Sequence, residues 1–354
     1  MLLRRQRLPI PDVVERLVGM QAQVPIDPYV GLWTRLEGFE PDELSRLISE
    51  REAVRLPLLR TTLHLVTARD SLSMRPLLQP VLERGFRTGS PFWRQLSGID
   101  LDALLAAGRE LIDERPRSTA ALARLLHERW PDFDPTSLSY AVRYLVPLVQ
   151  VPPRGLWGAS GQPTWATLEA WLGRPLPADR SLDELVLRYL ATFGPASVTD
   201  VRTWSWLTEV REVIDRLRPR LRVFRDQRGR ELFDLPDAAR PDPETPAPVR
   251  FLPQFDNLLL SHDDRSRVIR DEHRRRLLAD TNATFGSVLV DGFVAATWKV
   301  VREGGARSMR IQPLEPLAKA DASAVADEGA RLLAFLIPGG GDVELREMEE
   351  VQHA

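Results

Sequence analysis

Two glutamines separated by one alanine, Gln21 and Gln23, are the residues near the N-terminus whose type and spacing could do chemistry. A side-chain amide offers an acceptor oxygen and two N–H donors but no charge, so a pair can hold a water while being a poor proton acceptor. A reaction carried by such a pair must need little acid–base help. Behind them, Pro11 suits a first helical turn and Val13, Val14, Leu17, Val18 and Met20 recur every three to four residues. Pro25 pushes the residue before it out of the helical region, so the helix is expected to stop near Gln21 to Gln23. Residues two apart on a helix face different ways, and the two amides converge only where it unwinds. The plainer alternative is that they bond the orphan carbonyls of the last turn.

The second candidate chemistry is phosphate binding. Arg216 to Arg230 holds seven arginines against one acid, Asp226, and a guanidinium fork matches phosphate oxygens in pairs. Arg60, Thr62 and His64 alternate along an apolar run and would share one face of a strand. Either group could equally be a solvated face, and a chain with only two lysines, Lys299 and Lys319, uses arginine freely. From Asp321 onward there are eight acids and two arginines, so the net charge of −2 conceals an uneven distribution. His64, His127, His262, His273 and His353 show no paired ligand spacing and cysteine is absent, which argues against a metal site, a cofactor cluster or a disulfide. No apolar run approaches the ~20 residues that span a bilayer. The chain is expected to be cytoplasmic, nucleoid-associated and without membrane partners.

The elements that must position these residues come in cycles. After the glutamines, Pro28 to Glu37 and a segment opened by Pro41 read as helices, and Ala53 to Leu59 and Thr61 to Thr67 as antiparallel strands, which together describe a winged helix. Residues 68 to 97 form a connector in which Arg84, Arg87 and Arg94 interleave with Phe86, Phe92 and Trp93, a pattern suited to nucleic acid or to packing. A second cycle runs through Leu101 to Glu114, a helix capped by Ser118, one opened by Pro135, a strand from Leu148 and a return at Thr164 to Leu172. In the third, Leu182 to Thr192 with Gly194 as cap, Val198 to Leu207 and Glu209 to Leu217 have helix-turn-helix spacing. A hairpin from Leu221 to Leu235 then carries the arginines as a wing. Arg218, Arg220, Arg222, Arg225 and Arg228 are its candidate DNA contacts, joined by Arg60 and His64 on the first hairpin. Beyond a proline-rich linker, Val249 to Leu260 and a meander turning at Asp291-Gly292 and Gly304-Gly305 read as a small β module, followed by a helix from Leu317 to Leu336 and a mobile Gly339-Gly340-Gly341 tail. The expected fold class is α+β: three tandem winged-helix modules, a small antiparallel β-barrel and a C-terminal helix. The expected domains are 1–97, 98–180, 181–236 and 237–354.

Five segments resemble the winged-helix DNA glycosylases of the AlkZ type. They are Leu17-Val18-Gly19-Met20-Gln21-Ala22-Gln23, Leu59-Arg60-Thr61-Thr62-Leu63-His64-Leu65-Val66, Leu148-Val149-Gln150-Val151-Pro152-Pro153-Arg154-Gly155-Leu156-Trp157, Phe193-Gly194-Pro195-Ala196 and Leu252-Pro253-Gln254-Phe255-Asp256-Asn257. The overlap runs nearly end to end, and Met20 stands where leucine is more usual. The resemblance implies a C-shaped body that embraces DNA, with a Gln-x-Gln motif, here Gln21 and Gln23, as its catalytic element. Such chemistry fits a cationic lesion: alkylation at guanine N7 makes the base a good leaving group without enzymatic protonation. What remains is to place water near the anomeric carbon and to stabilise an oxocarbenium-like state. The implied reaction is monofunctional hydrolysis of the N-glycosidic bond, on damaged double-stranded DNA, by a monomer without cofactor, with bulky adducts or interstrand crosslinks admitted by an open cleft. A non-enzymatic winged-helix transcriptional regulator would explain the wings but not the glutamines; a scaffold whose winged helices bind proteins would show little salt-dependent DNA affinity.

Overall fold

Three times along the chain a helix is followed by a short strand or bridge, two more helices and a hairpin. The computed structural model describes residues 1–177, 181–279, 285–303 and 306–346. The first cycle is α1 (Ile10–Arg16), β1 (Met20–Gln21), α2 (Asp27–Trp33), α3 (Pro41–Ser49), β2 (Ala53–Pro57) and β3 (Leu63–Thr67), and α4 (Ala68–Leu77) and α5 (Gln79–Gly89) follow it. The second is α6 (Leu101–Glu114), β4 (Arg117–Ser118), α7 (Thr119–Arg129), α8 (Pro135–Leu145), β5 (Leu148–Val151) and β6 (Thr164–Thr167), ending in α9 (Leu168–Leu172). The third is α10 (Leu182–Phe193), a bridge from Ala196 to Phe233, α11 (Val198–Ser205), α12 (Val210–Leu217), β7 (Arg222–Arg225) and β8 (Glu231–Asp234).

Local chemistry sets many of these boundaries. Ser118 accepts from Ala121 N at 3.2 Å and Asp134 from Ser137 N at 2.7 Å, capping α7 and α8. Ser197 and Asp200 form a capping box on α11. Gly194 ends α10, but at φ −63°, outside the left-handed region. Its lack of a side chain serves close approach, because a Cβ would sit 2.5 Å from Asp234 Oδ1 and 2.6 Å from Leu190 O.

Two compact units divide the chain: Pro9–Ile26 with Glu40–Ala238, and Met1–Leu8 with Asp27–Phe39 and Ala239 onward. In the larger unit the strands of the first two cycles form one six-stranded sheet of order β1-β3-β2-β5-β6-β4, joined at its centre by the register pair Arg55 and Gln150. One core runs from Val54, Leu56 and Val66 through Val149 and Leu168 to Tyr189, Trp204, Ile214 and Phe233, so the third cycle packs on the same apolar mass. A second surrounds Phe86, Leu104, Leu122, Leu138 and Trp165. Each such fully buried aliphatic or aromatic side chain contributes roughly 1.5–3 kcal/mol.

The other unit holds β9 (Arg250–Leu252), α13 (Asn257–Leu260), α14 (Asp271–Ala279), β10 (Gly286–Val290), β11 (Phe293–Glu303), β12 (Ala306–Pro313), α15 (Lys319–Leu336) and β13 (Asp342–Leu345). The expected antiparallel barrel is corrected here. The sheet is open, of order β13-β12-β11-β10-β9, and β13 pairs parallel to β12. The chain passes through α15 before re-entering the sheet, and such a crossover permits the parallel pairing that a hairpin cannot make. Val249 to Leu260 is likewise not one strand. Asp256 accepts from Leu258 N at 2.9 Å and turns the Leu258-Leu259-Leu260 run into a helix. The tail expected to be mobile leads from Gly341 directly into β13. The turn expected at Gly304-Gly305 and His353 lie outside the described residues.

Candidate active site and nucleic-acid surface

The helix before the glutamines ends earlier than its apolar periodicity suggests. α1 stops at Arg16, and Val18 (φ 54°) and Gly19 (φ 86°) turn the chain through the left-handed region. A Cβ on Gly19 would lie 2.7 Å from Val66 Cγ1, so glycine is required for both conformation and space. Met20 and Gln21 then run antiparallel to β3, with Gln21 opposite His64, and Ala22 N donates to Leu63 O at 2.7 Å. Gln21 therefore ends a two-residue strand, and Gln23 lies in the bend that follows it.

Both amides meet one short segment. Gln21 Oε1 accepts from Arg60 Nη2 at 3.1 Å, and Gln23 Oε1 accepts from the Leu63 N–H at 3.2 Å. A carbonyl oxygen has two lone pairs, so each contact fixes the amide's orientation and uses one of them. Gln21 is buried and Gln23 exposed, which gives the pair a fixed end and an open one.

Arg60 belongs to a strained loop rather than to the strand expected from Thr61. Residues Leu59–Thr61 form a single 3-10 turn, with Arg60 at φ 54° and Thr61 at φ 59°. A β-branched residue in that region is an outlier, costing about 1–3 kcal/mol. Leu58 N to Thr62 O at 3.0 Å and Thr62 Oγ1 to Leu59 O at 3.1 Å close the loop. Gly85 of α5 makes room for it, since a Cβ there would overlap Thr61 Cγ2. From this loop Arg60 also donates Nη1 to Trp204 O at 2.7 Å, tying Gln21 to the end of α11. Two residues on, Trp206 is 43% exposed with φ 61° at the α11–α12 turn.

His64 is not on an accessible face. It is 1% exposed, with Nδ1 2.9 Å from Thr62 O and Nε2 buried without a partner. Burial, reinforced by the Arg60 charge, pushes its pKa down to about 3, against a weaker upward pull from the Thr62 carbonyl. At neutral pH it offers a phosphate neither charge nor an open donor.

The arginine-rich hairpin closes through Asp226 N to Arg230 O at 3.0 Å, with Gly229 at φ 77°. Its charge is partly neutralised within the fold: Arg218 donates to Glu231 at 2.7 Å, Arg225 lies 3.9 Å from the same carboxylate, and Arg230 donates to Asp226 at 2.6 Å. Arg220, Arg222, Arg225 and Arg228 all remain exposed, Arg222 over the Phe224 ring at 5.0 Å. The sequence missed the acids that come from outside the arginine run, such as Glu231.

In the sheet-bearing unit, a cavity of about 350 Å³ is lined by Arg276, Trp298, Lys299, Arg310 and Arg346 among others, and by neither glutamine. There too Arg35 grips Asp256 through two contacts of 2.8 Å. Burial and that carboxylate raise Asp27 to about 7. Among the described residues no three His, Asp or Glu side chains form a metal-binding group, and no helix is long and apolar enough to cross a membrane.

Compared with known proteins, the chain is similar in fold to the Streptomyces sahachiroi DNA glycosylase AlkZ, with a TM-score of 0.78 at 20% sequence identity over 98% of this chain and 95% of that one. No curated protein sequence matches it. The family model described as "DNA glycosylase AlkZ-like" matches residues 14–335, which takes in the glutamines, nearly all of the three cycles and four of the five strands of the open sheet. The chain belongs to the AlkZ-like DNA glycosylase family, whose reaction is hydrolysis of an N-glycosyl bond in DNA.

Proposed function

We propose that this chain releases cationic N7-alkylated guanine from double-stranded DNA as a monofunctional glycosylase, with Gln21 and Gln23 placing the attacking water. The observation that carries the reading is that both amide oxygens are held by one segment, by Arg60 and by the Leu63 N–H, each contact using one of the oxygen's two lone pairs. An N7-alkylated base departs without being protonated, so the absence of a general acid at the motif is no handicap. As the bond breaks, positive charge spreads onto the sugar, and the oxygen ends of two fixed amide dipoles stabilise it. Neutral His64 opposite Gln21 adds no opposing charge. Arg60 does carry one, and the phosphate flanking the lesion is the partner that offsets it.

In this reading the three cycles are tandem winged helices, and Arg218, Arg220, Arg222, Arg225 and Arg228 on the third wing hold the backbone of the duplex. Both lysines, the amines a lyase would need, belong to the sheet-bearing unit rather than to the one carrying the glutamines. Bulky adducts and interstrand crosslinks are substrates if the lesion is attacked without full extrusion, and the protein acts as a cytoplasmic, nucleoid-associated monomer. The test is base release from duplexes carrying N7-methylguanine or a nitrogen-mustard crosslink, read by alkaline strand cleavage. Replacing both glutamines, Gln21→Ala with Gln23→Ala, is expected to slow release by at least the ~10²–10³-fold that loss of one preorganised dipole costs. Undiminished release by that variant refutes the role of the amides. No release of either lesion by wild type, with DNA binding intact, refutes the substrate class.

A further inference from the structure

We infer that Arg55 is a positioning residue for the glutamine motif: it withdraws the Ala22 carbonyl from the sheet, and so leaves the Leu63 N–H to orient Gln23. The inference rests on the catalytic reading of Gln21 and Gln23. In an antiparallel ladder, alternate residue pairs exchange two hydrogen bonds. The register Met20 to Leu65 and Gln21 to His64 sets Ala22 opposite Leu63, and Ala22 N donates to Leu63 O at 2.7 Å. The second bond of that pair would run from the Leu63 N–H to the Ala22 carbonyl. Instead the Ala22 carbonyl accepts from Arg55 Nη2 at 2.8 Å, and the Leu63 N–H donates to Gln23 Oε1 at 3.2 Å. One ladder bond has been exchanged for two contacts, and one of them aims a catalytic amide.

Arg55 is built in for this task. It is 1% exposed in the middle of β2, between buried Val54 and Leu56. Its other arm donates to Gln150 Oε1 at 2.5 Å and to Arg154 O at 3.2 Å, both from the second cycle. Gly155 (φ 104°) admits it, because a Cβ there would lie 2.7 Å from Nη1 and 2.9 Å from Cδ. A planar fork can serve these three uncharged oxygens at once, which a lysine cannot. Taking a guanidinium out of water is costly, and an aliphatic side chain would fill the same strand position without that penalty. The direction of the fork toward Ala22 gives the charge a purpose that packing does not.

The experiment is a double-mutant cycle on single-turnover excision of N7-methylguanine, with duplex Kd and thermal unfolding measured alongside. Arg55→Met is expected to slow excision by about 10²-fold, the loss that a misplacement of roughly 1 Å produces, with Kd within about threefold of wild type. On a Gln23→Ala background the same substitution is expected to add no further loss, because the amide it positions is gone. A wild-type rate for Arg55→Met, or an undiminished further loss on the Gln23→Ala background, overturns the inference. Should Arg55→Met fail to fold, Gly155→Ala carries the same cycle with the same outcomes, since it keeps the charge and displaces the fork. Wild-type excision by the variant lacking both glutamines would instead remove the catalytic reading beneath the inference, a distinguishable failure.

Discussion

The environment of His64 makes a quantitative statement about acid stability. The Thr62 carbonyl can only accept, so Nδ1 carries the proton and Nε2 is bare, buried and without a donor. Protonating Nε2 would create a cation in a closed pocket near Arg60, which is why the pKa falls from 6.5 to about 3. The unfolded chain takes up a proton near 6.5 and the folded chain does not, so stability is complete above 6.5 and declines as pH falls toward 3. Between pH 7 and pH 5 this is about 1.5 pKa units at 1.36 kcal/mol each, a loss of about 2 kcal/mol. His64→Asn keeps a donor for Thr62 and cannot titrate in this range. Its stability at neutral pH falls because the ring is lost from a packed site, so the comparison is of slopes. In urea unfolding at pH 7 and pH 5, wild type is expected to lose about 2 kcal/mol more than the variant. Equal losses in the two proteins would refute the argument. So would an acid limb near pH 6.5 in the excision rate that His64→Asn abolishes, because the imidazole would then titrate as though exposed.

Two further outcomes follow from charge. Replacing Arg222, Arg225 and Arg228 by alanine is expected to weaken duplex binding on any sequence and to lower the slope of log K against log salt by about 2–3, near 0.9 per lost phosphate contact; an unchanged slope would take the wing off the DNA. Asp27, raised to about 7 by burial and then by Asp256, holds its proton in the fold but not in the unfolded chain, so stability falls as pH rises from about 4 through 7. Asp27→Asn removes that fall and should gain up to about 4 kcal/mol at pH 8 with little change at pH 4, measured by urea unfolding. No gain at pH 8 would mean that the carboxylate is solvated.

The order of elements was legible because apolar period switches from 3.6 to 2 at each hairpin, and because Ser118 and Pro135 mark the helix starts of α7 and α8. The end of α1 was not legible. Val18 and Met20 continue the helical spacing, yet Val18 is buried at a left-handed turn and Met20 as a strand residue. Burial imposes the same apolar pattern on both. The Leu258-Leu259-Leu260 run misled for the same reason, with Asp256 as the overlooked cap. At the site, the glutamines and Arg60 were visible as residue types, but their contacts depend on the strained turn at Arg60 and Thr61, which no local pattern marks. Arg55 left one faint signal, a lone charge inside an apolar strand. Its partners Gln150, Arg154 and Gly155 lie about a hundred residues away, in and just after a strand of the second cycle.

The sheet explains why the motif sits where it does. From the β2–β5 junction outward, each half runs hairpin strand, hairpin strand, short first strand: β2-β3-β1 on one side and β5-β6-β4 on the other. The two halves diverge at their outer edges. At β4, Arg117 turns inward to Leu111 O and Ser118 caps α7, so that edge is committed to packing. At β1, the equivalent edge carries Gln21, and its ladder with β3 gives way at Ala22. An edge strand leaves groups open to a ligand as large as a duplex, whereas the strands behind it supply rigidity. In the proposed reaction neutral amides offer weak dipoles rather than charges or titratable protons, so their contribution would depend almost wholly on being held in place. A motif of this kind needs an open edge backed by a stiff interior, and the junction where Arg55 meets Gln150 provides that backing from the centre of the sheet.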